Sequence, residues 1–194
     1  MHYKIASYNC NSIRNKIDII REILDENDIL FLQEIMLIES DISLLDDIHD
    51  DFECISSPSK YTTDCSFSGR PKGGLAIFCR KSILKEVKFK KFNDNIMGII
   101  VCVGQENCLI LNVYLPCDMR NDSSLDNYRF VIADLINITE HEMFDNIIIA
   151  GDFNADPYKG RFWREFNYFC LTAGLTVADM TLPQDTFTYL SPFA

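Results

Sequence analysis

The sequence lacks the patterns that mark several common catalytic and metal-binding sites. Its eight cysteines form no C-x-x-C pair, and its three histidines lie near no pair of cysteines, which argues against a zinc site. There is no P-loop and no motif for a serine or cysteine nucleophile. The longest apolar run, Ile96–Val103, is too short to cross a membrane, so no membrane partner is expected.

The N-terminus carries no pattern of a secretory signal peptide, so free thiols in a reducing compartment are expected. We therefore predict an intracellular protein, nuclear or cytoplasmic and not secreted. Repeats, linkers and low-complexity segments are also missing. With 194 residues, 47% of them hydrophobic, residues 1–194 are predicted to form a single domain with a large core.

Basic residues are few, and the formal net charge is -11. This charge argues against binding nucleic acid by electrostatics alone, but it suits a site for a hard cation, since carboxylates are its preferred ligands. The only basic cluster lies in residues 80–91. Two interpretations of it are open: a solvated face of a sheet, which is the commoner case, or a contact to a DNA backbone.

Apolar periodicity predicts alternating strands and helices, with an antiparallel hairpin formed by Ile96–Val103 and residues 108–115. Short final strands are predicted at residues 176–178 and 187–190. Mixed strands and helices of this kind indicate an α+β or mixed α/β fold in layers.

Four apolar strands end in polar residues, which is the most informative pattern in the chain. Such residues hold metal ions and phosphate, and ligands of layered α/β proteins bind outside strand ends. We therefore expect the four ends to converge on one rim. The residues concerned are Asn9, Glu34, Asn112 with Tyr114, and Asp152 with Asn154.

The last of these strands leads into Gly151-Asp152-Phe153-Asn154. On an extended backbone, Asp152 and Asn154 lie on the same side, about 6 to 7 Å apart, and bracket a small polar object such as a hydrated phosphate. The alternative is an ordinary loop whose Asp or Asn caps a helix.

The residue types suggest a phosphoester hydrolase that uses water directly. Glu34 suits a Mg²⁺ ion, which binds through one or two carboxylates. Asp152 is a candidate to hold or deprotonate the attacking water, and the Tyr114 hydroxyl to donate to a phosphate oxygen. Asn9 and Asn154 are candidates to contact phosphate or orient the water. Taken singly, Asn9 is better explained as a turn residue and Tyr114 as a core aromatic, whereas all of these residues taken together favour a site.

Five motifs occur in an order that resembles the endonuclease/exonuclease/phosphatase superfamily, which includes DNase I and the apurinic/apyrimidinic endonucleases. The segment Asn11-Ser12-Ile13-Arg14-Asn15-Lys16 is most similar to the endonuclease domain of LINE-type (non-LTR) retrotransposon polyproteins. The motifs are Tyr8 to Lys16, Leu32-Gln33-Glu34, Gly73 to Ile77, Asn112 to Pro116 and Gly151 to Asn154.

This resemblance implies a four-layer α/β sandwich of two packed mixed sheets with helices outside. It also implies a DNA endonuclease that depends on Mg²⁺, or on Mn²⁺, and nicks target DNA for retrotransposition. The DNA-binding chain would then be part of a longer polyprotein with a reverse transcriptase. The implied roles are metal binding by Glu34 and Asn9, catalysis by Glu34, Tyr114, Asp152 and Asn154, and substrate or phosphate binding by Asn9, Asn112 and Thr188.

Two departures from the family pattern affect these expectations. Many relatives have Asn where this chain has Cys117, so one phosphate contact is not expected. Relatives also continue with a Ser-Asp-His motif, which is absent here, and none of the three histidines has the context to replace it. The resemblance therefore implies a domain incomplete at its C-terminus, lacking its last strands, with weak or no activity as an isolated chain.

Two further functions stay open at this point. One is a phosphatase of the same superfamily that acts on a small phosphorylated substrate. The other is an inactive, truncated remnant. Composition and motifs do not indicate an oligomeric state.

Overall fold

The computed structural model describes residues 2–60, 71–157 and 159–180. The chain divides into two compact units. One comprises Met1–Pro116 and Glu142–Asn154, and the other comprises Cys117–His141 and Ala155–Ala194. The first unit contains all of the strands found in the described residues, together with one α-helix.

The elements follow the alternation expected from the sequence. The strands are β1 (Ile5–Asn9), β2 (Ile29–Gln33), β3 (Phe52–Ser57), β4 (Leu75–Arg80), β5 (Val87–Lys91), β6 (Ile96–Val103), β7 (Glu106–Tyr114) and β8 (Asn146–Asp152). The α-helices are α1 (Ile17–Glu26), α2 (Asp122–His141) and α3 (Gly160–Thr172). Short 3₁₀ helices lie at Ile13–Asn15, Glu39–Leu45, Lys81–Glu86 and Ala178–Met180.

The first sheet has the strand order β1-β2-β4-β3. Strands β1 and β2 are parallel, which requires a crossover, and α1 provides it. The apolar residues of α1 repeat at helical spacing, so Ile20 and Leu24 lie on one side of the helix. This side is completely buried against Leu30, Leu32 and Phe78 on one face of the sheet.

The second sheet has the order β5-β6-β7-β8, with β5, β6 and β7 antiparallel and β8 parallel to β7. Its inner face packs on the opposite face of the first sheet. Phe31 and Ile77 of the first sheet and Ile99 and Ile110 of the second belong to this shared core, and each is at most 2% exposed. The hydrophobic effect therefore holds the two sheets face to face.

The second unit contains α2 and α3, which pack on each other. Their contact includes the rings of Tyr128 and Phe162, whose centroids are 4.1 Å apart, and an ion pair of Arg129 with Glu165 at 2.8 Å. Asn121 precedes α2, and its Oδ1 accepts a hydrogen bond from the backbone N–H of Ser124 at 2.8 Å. This bond satisfies one of the free N–H groups at the start of the helix.

The prediction of an α/β fold with two mixed sheets and helices is confirmed, and so is the antiparallel hairpin of β6 and β7. The predicted strand at residues 176–178 is wrong, since a 3₁₀ helix begins at Ala178 instead. The strand predicted at residues 187–190 lies outside the described residues, and the assignment of residues 1–194 to one domain stays a prediction. In the part of the chain that the structure describes, no helix has both the length and the apolar character needed to cross a membrane.

Candidate active site

Three of the predicted strand-end residues meet in the first unit. The Nδ2 group of Asn9 donates one hydrogen bond to Oε1 of Glu34 and another to Oδ2 of Asp152, each 2.8 Å long. Because one nitrogen serves both carboxylates, the two acceptor oxygens are no farther apart than the sum of these two distances. The ends of β1 and β2 in the first sheet therefore converge with the end of β8 in the second.

Glu34 follows β2 directly and adopts a left-handed backbone conformation with φ of +53°. A residue with a Cβ pays roughly 1–2 kcal/mol for this conformation. Neighbouring hydrogen bonds hold the turn: Ser12 N–H donates to the carbonyl of Glu34 at 2.8 Å, and Ile35 N–H donates to the carbonyl of Gly74 at 3.3 Å. The position of the carboxylate is thus fixed through the backbone on both sides.

The thiol of Cys10 lies beneath this turn and is not a nucleophile. It donates to the carbonyl of Gln33 at 3.3 Å and to the carbonyl of Glu34 at 3.4 Å. Burial raises the pKa of Cys10 to about 12, so the group is a neutral thiol near pH 7. Its contacts support the turn at Glu34 instead.

Asp152 is held at both of its carboxylate oxygens. Besides the bond from Asn9 to Oδ2, Oδ1 accepts the backbone N–H of Asn154 at 3.0 Å. This second bond turns the chain directly after β8, and Asn154 adopts φ of +48°. The extended backbone assumed for Asp152 and Asn154 is therefore wrong. The Nδ2 group of Asn154 donates to the carbonyl of Leu115 at 2.8 Å, so this amide fixes the turn against the end of β7.

Tyr114 is the register partner of Asp152 in the parallel pair of β7 and β8. Directly paired residues lie on the same face of a sheet, so Tyr114 and Asp152 share a face. The backbone of Tyr114 is fixed by Asn95: Tyr114 N–H donates to the Asn95 carbonyl at 2.9 Å, and Asn95 Nδ2 donates to the Tyr114 carbonyl at 2.7 Å. The side chain is half-buried.

Asn112 does not reach the site surface. It is 0% exposed, and its Oδ1 accepts a hydrogen bond from Nε2 of Gln33 at 2.7 Å. This burial contradicts the predicted contact between Asn112 and phosphate. Gln33, for which no role is predicted from the sequence, is the one polar residue of the apolar strand β2, and its bond to Asn112 gives it a structural role. The predicted substrate residue Thr188 lies outside the described residues.

The basic cluster of residues 80–91 is largely engaged within the protein. Arg80 donates to the backbone carbonyls of Leu24 and Asn27 at 2.9 and 2.8 Å, and Lys81 donates to the carbonyl of Asp50 at 2.6 Å. Lys90 also forms an ion pair with Glu142. These contacts give Arg80, Lys81 and Lys90 a structural role, whereas Lys85 and Lys88 are exposed, and a DNA contact there stays a prediction.

The donor set at the convergence point suits Mg²⁺ more than a transition metal. Glu34 and Asp152 supply carboxylate oxygens, and Mg²⁺ binds proteins through one or two carboxylates while keeping several waters. Among the described residues, no group of three or more His, Cys, Asp or Glu side chains is placed to hold a metal ion. Asn9 turns its nitrogen to the carboxylates, while its Oδ1 accepts the N–H of Asn11 at 3.1 Å. The nitrogen of an amide does not bind a cation, so Asn9 would have to bind a metal through its Oδ1. This role of Asn9 stays a prediction.

Comparisons with known proteins agree with this architecture. The sequence matches the profile of the Endonuclease/Exonuclease/phosphatase family over residues 6–192. No curated protein matches the sequence.

Several solved structures have a similar fold. An AP endonuclease from Archaeoglobus fulgidus is 17% identical with a TM-score of 0.63, and the match covers 88% of this chain and 71% of that one. An AP endonuclease from Leishmania major is 13% identical with a TM-score of 0.70, and coverage is 88% and 66%. A 3′ phosphatase from Neisseria, bound to a product DNA hairpin, is 16% identical with a TM-score of 0.59, and coverage is 89% and 71%. At these identities the likeness shows the fold alone.

Proposed function

The chain belongs to the endonuclease/exonuclease/phosphatase family, and from this premise we propose that it is a DNA endonuclease that hydrolyses phosphodiester bonds with a bound divalent metal, Mg²⁺ or Mn²⁺. The observation that carries the proposal is the convergence of Glu34 and Asp152 on the amide group of Asn9. Two carboxylates from two different sheets meet there at strand ends, where ligands of layered α/β proteins bind.

Glu34 is the proposed metal ligand, because it offers a carboxylate on a turn that the backbone fixes. Glu34 would hold the cation, which would supply polarisation of a phosphoryl oxygen and stabilisation of the charge developed during hydrolysis. Asn9 keeps Glu34 and Asp152 at a constant spacing, since each of its two amide hydrogens is donated to one of them.

Asp152 is the proposed residue that orients the attacking water and takes up its proton. Its carboxylate is held by Asn9 and by the backbone of Asn154, so it is preorganised before substrate binds. Tyr114, on the same face as Asp152, is the proposed donor to a phosphate oxygen. For Asn154, the bond to the carbonyl of Leu115 supports a role in shaping this turn.

A plasmid-nicking assay tests the proposal. Because the resemblance implies weak activity for residues 1–194 alone, conversion of supercoiled plasmid to the open circle in the presence of Mg²⁺ should be slow, and a chelator should stop it. Asp152→Asn is expected to lower the rate by about 100-fold or more, in the range of general acid–base catalysis. Glu34→Gln should also lower the rate and raise the Mg²⁺ concentration needed.

A matched control removes an equal charge far from the site. Glu22 is an exposed residue of α1, so Glu22→Gln should leave nicking unchanged. Nicking that survives in Glu34→Gln as it does in Glu22→Gln would contradict the assignment. Phosphoinositides and 3′-phosphorylated oligonucleotides in the same buffer test the phosphatase alternative. No turnover on any of these substrates favours the inactive remnant.

The finer proposal is an endonuclease of the LINE type, which nicks target DNA for reverse transcription by the same polyprotein. Its support is the similarity of the segment from Asn11 to Lys16, in which Ile13 is completely buried and Arg14 pairs with Asp41. Mapping the nicks on genomic fragments tests this idea. Recurrent cleavage at one short sequence context supports a target-site nuclease, and uniform cleavage contradicts it.

A further inference from the structure

A pair of buried amides connects the two sheets directly behind the candidate active site. Gln33 is 1% exposed and Asn112 is 0% exposed, and Gln33 Nε2 donates to Asn112 Oδ1 at 2.7 Å. Asn112 Nδ2 in turn donates to the carbonyls of Leu32 at 3.1 Å and Ala76 at 3.0 Å. Three hydrogen bonds thus run from β7 of the second sheet to β2 and β4 of the first.

Each of the two amides lies within two residues of a site residue along its strand. Gln33 is the last residue of β2, and Glu34 follows it. Asn112 precedes Tyr114 by two residues on β7, and its register partner on β8 is Ala150, which precedes Asp152 by two. The same bonds therefore anchor both strand ends whose carboxylates share the amide of Asn9.

Among the described residues, the core between the sheets around this pair is formed by hydrophobic side chains. Apolar contacts in this core, which includes Ile77 and Ile110, are non-directional, so they favour close packing without fixing how far one sheet slides along the other. Hydrogen bonds weaken steeply when distance or angle changes. Within this buried core, the bonds of the amide pair are therefore selective for one register of the sheets.

We infer that Gln33 and Asn112 are positioning residues, which set the register of the two sheets and thereby keep Glu34 and Asp152 both within reach of Asn9. Both side chains are buried and bonded within the protein, so the inferred role is positioning and not direct contact with substrate or metal. The consequence for catalysis rests on the proposed function, whereas the consequence for the geometry around Asn9 does not.

The first test is a spectroscopic measurement on the metal-free protein. Both side-chain N–H groups of Asn9 donate to carboxylates, so their signals in a ¹H–¹⁵N spectrum should differ from those of an exposed Asn and exchange slowly with water. Asn9→Ser identifies them by their loss. In Asn112→Leu, exchange of these protons should become about 10-fold faster or more, because the two carboxylates no longer hold their spacing.

Ile110→Ala is the matched control. Ile110 lies two residues before Asn112 on the same face of β7, is 2% exposed, and belongs to the same inter-sheet core. Its truncation weakens that core without removing a directional bond, so the Asn9 signals should stay as in the unchanged protein. Equal Asn9 signals in Asn112→Leu, Ile110→Ala and the unchanged chain would overturn the inference.

A kinetic measurement extends the test to function. Asn112→Leu should lower kcat for plasmid nicking by about 10- to 100-fold, as expected for a small misplacement of catalytic groups, with KM changed by less than about 2-fold. Ile110→Ala should keep both constants. If the unchanged chain does not nick DNA, the proposed function fails, and the Asn9 signals still decide the role of the amide pair.

Gln33→Met provides a second variant in case Asn112→Leu does not fold. Methionine has nearly the length of glutamine and no amide, so it removes the bond to Asn112 and preserves the volume. It should perturb the Asn9 signals in the same direction. Unchanged Asn9 signals in a folded Gln33→Met protein would also overturn the inference.

Discussion

Replacing Gly151 should disrupt the second sheet directly before Asp152. Gly151 is the register partner of Val113 in the β7–β8 pair and has φ of +139°. A Cβ added at this position would lie 2.0 Å from the carbonyl oxygen of Val113, whereas real Cβ atoms essentially never come within 3.0 Å of another atom. In Gly151→Ala the two strands would have to separate by about 1 Å, at the cost of their hydrogen bonds.

The magnitude follows from two separate terms. Holding a residue with a Cβ at this φ costs on the order of 1–3 kcal/mol. Forcing extra volume into a packed interior costs about 1–3 kcal/mol more. Gly104→Ala isolates the first kind of term, because Gly104 has φ of +70° but an added Cβ there meets nothing within 4 Å. Its expected cost is about 1–2 kcal/mol.

Urea denaturation followed by far-UV circular dichroism measures both variants. We expect the free energy of unfolding to fall by at least about 2 kcal/mol more in Gly151→Ala than in Gly104→Ala, which corresponds to a difference in Tm of about 4–8 °C for a chain of this size. Equal losses in the two variants would refute the reasoning. That result would mean that the close approach of β7 and β8 does not contribute to stability.

Three further predictions concern groups outside the site. In urea denaturation, Arg80→Met should lower the free energy of unfolding by about 2 kcal/mol, since Arg80 donates hydrogen bonds to two backbone carbonyls. Lys88 is exposed, so Lys88→Met should change this free energy little. Equal effects of the two variants would contradict a structural role for Arg80. The hydrogen bond from Lys60 lowers the pKa of Asp94 in the folded protein. The ionised Asp94 therefore stabilises the fold at any pH above the ordinary pKa of Asp. This contribution is lost as the pH falls through the lowered pKa of the folded state. In an NMR titration, Lys60→Ala should raise the pKa of Asp94, and an unchanged value would refute the pairing. A thiol reagent at pH 8 should label the exposed cysteines first and the buried cysteines only after unfolding. The reason is that burial raises the pKa of the buried thiols. Labelling of a buried thiol before unfolding would contradict this order. Among the described residues, the exposed thiols are Cys102 and Cys117, and the buried thiols are Cys10, Cys79, Cys108 and Cys170.

The layered fold and the convergence of the strand ends could be predicted from the sequence for a physical reason. A buried strand such as β2 reads as a continuous apolar run, and the polar residue that ends it is visible by contrast. The contact of Asn9 with Glu34 and Asp152 then follows from the general rule on strand ends in layered proteins. The prediction of this contact depends on where the strands end and not on the properties of any one residue.

The role of Asn112 could not be read in this way. Residues Cys108 to Val113 of β7 are all buried, so no alternation of polar and apolar residues shows which side chain faces the other sheet. Which side chains of β7 face the first sheet depends on how the two sheets pack, and that packing involves residues far apart in the sequence. The contacts of Arg80 were hidden for a related reason, since its partners at Leu24 and Asn27 are distant in sequence.

The abrupt strand ends and the strained backbone at the site are one physical feature. Glu34 lies one residue after β2 and Asn154 two residues after β8, and each adopts a left-handed conformation that turns the chain away from the strand direction. Asn tolerates this conformation because its short side chain bonds locally, whereas Glu gains no such relief. The strain at Glu34 therefore has to be offset by its surroundings, through the bonds of Ser12 and Ile35 to the turn and of Asn9 to the carboxylate. This strained turn holds the carboxylate of Glu34 in one position beside the amide of Asn9, as the metal-ligand role proposed for Glu34 requires.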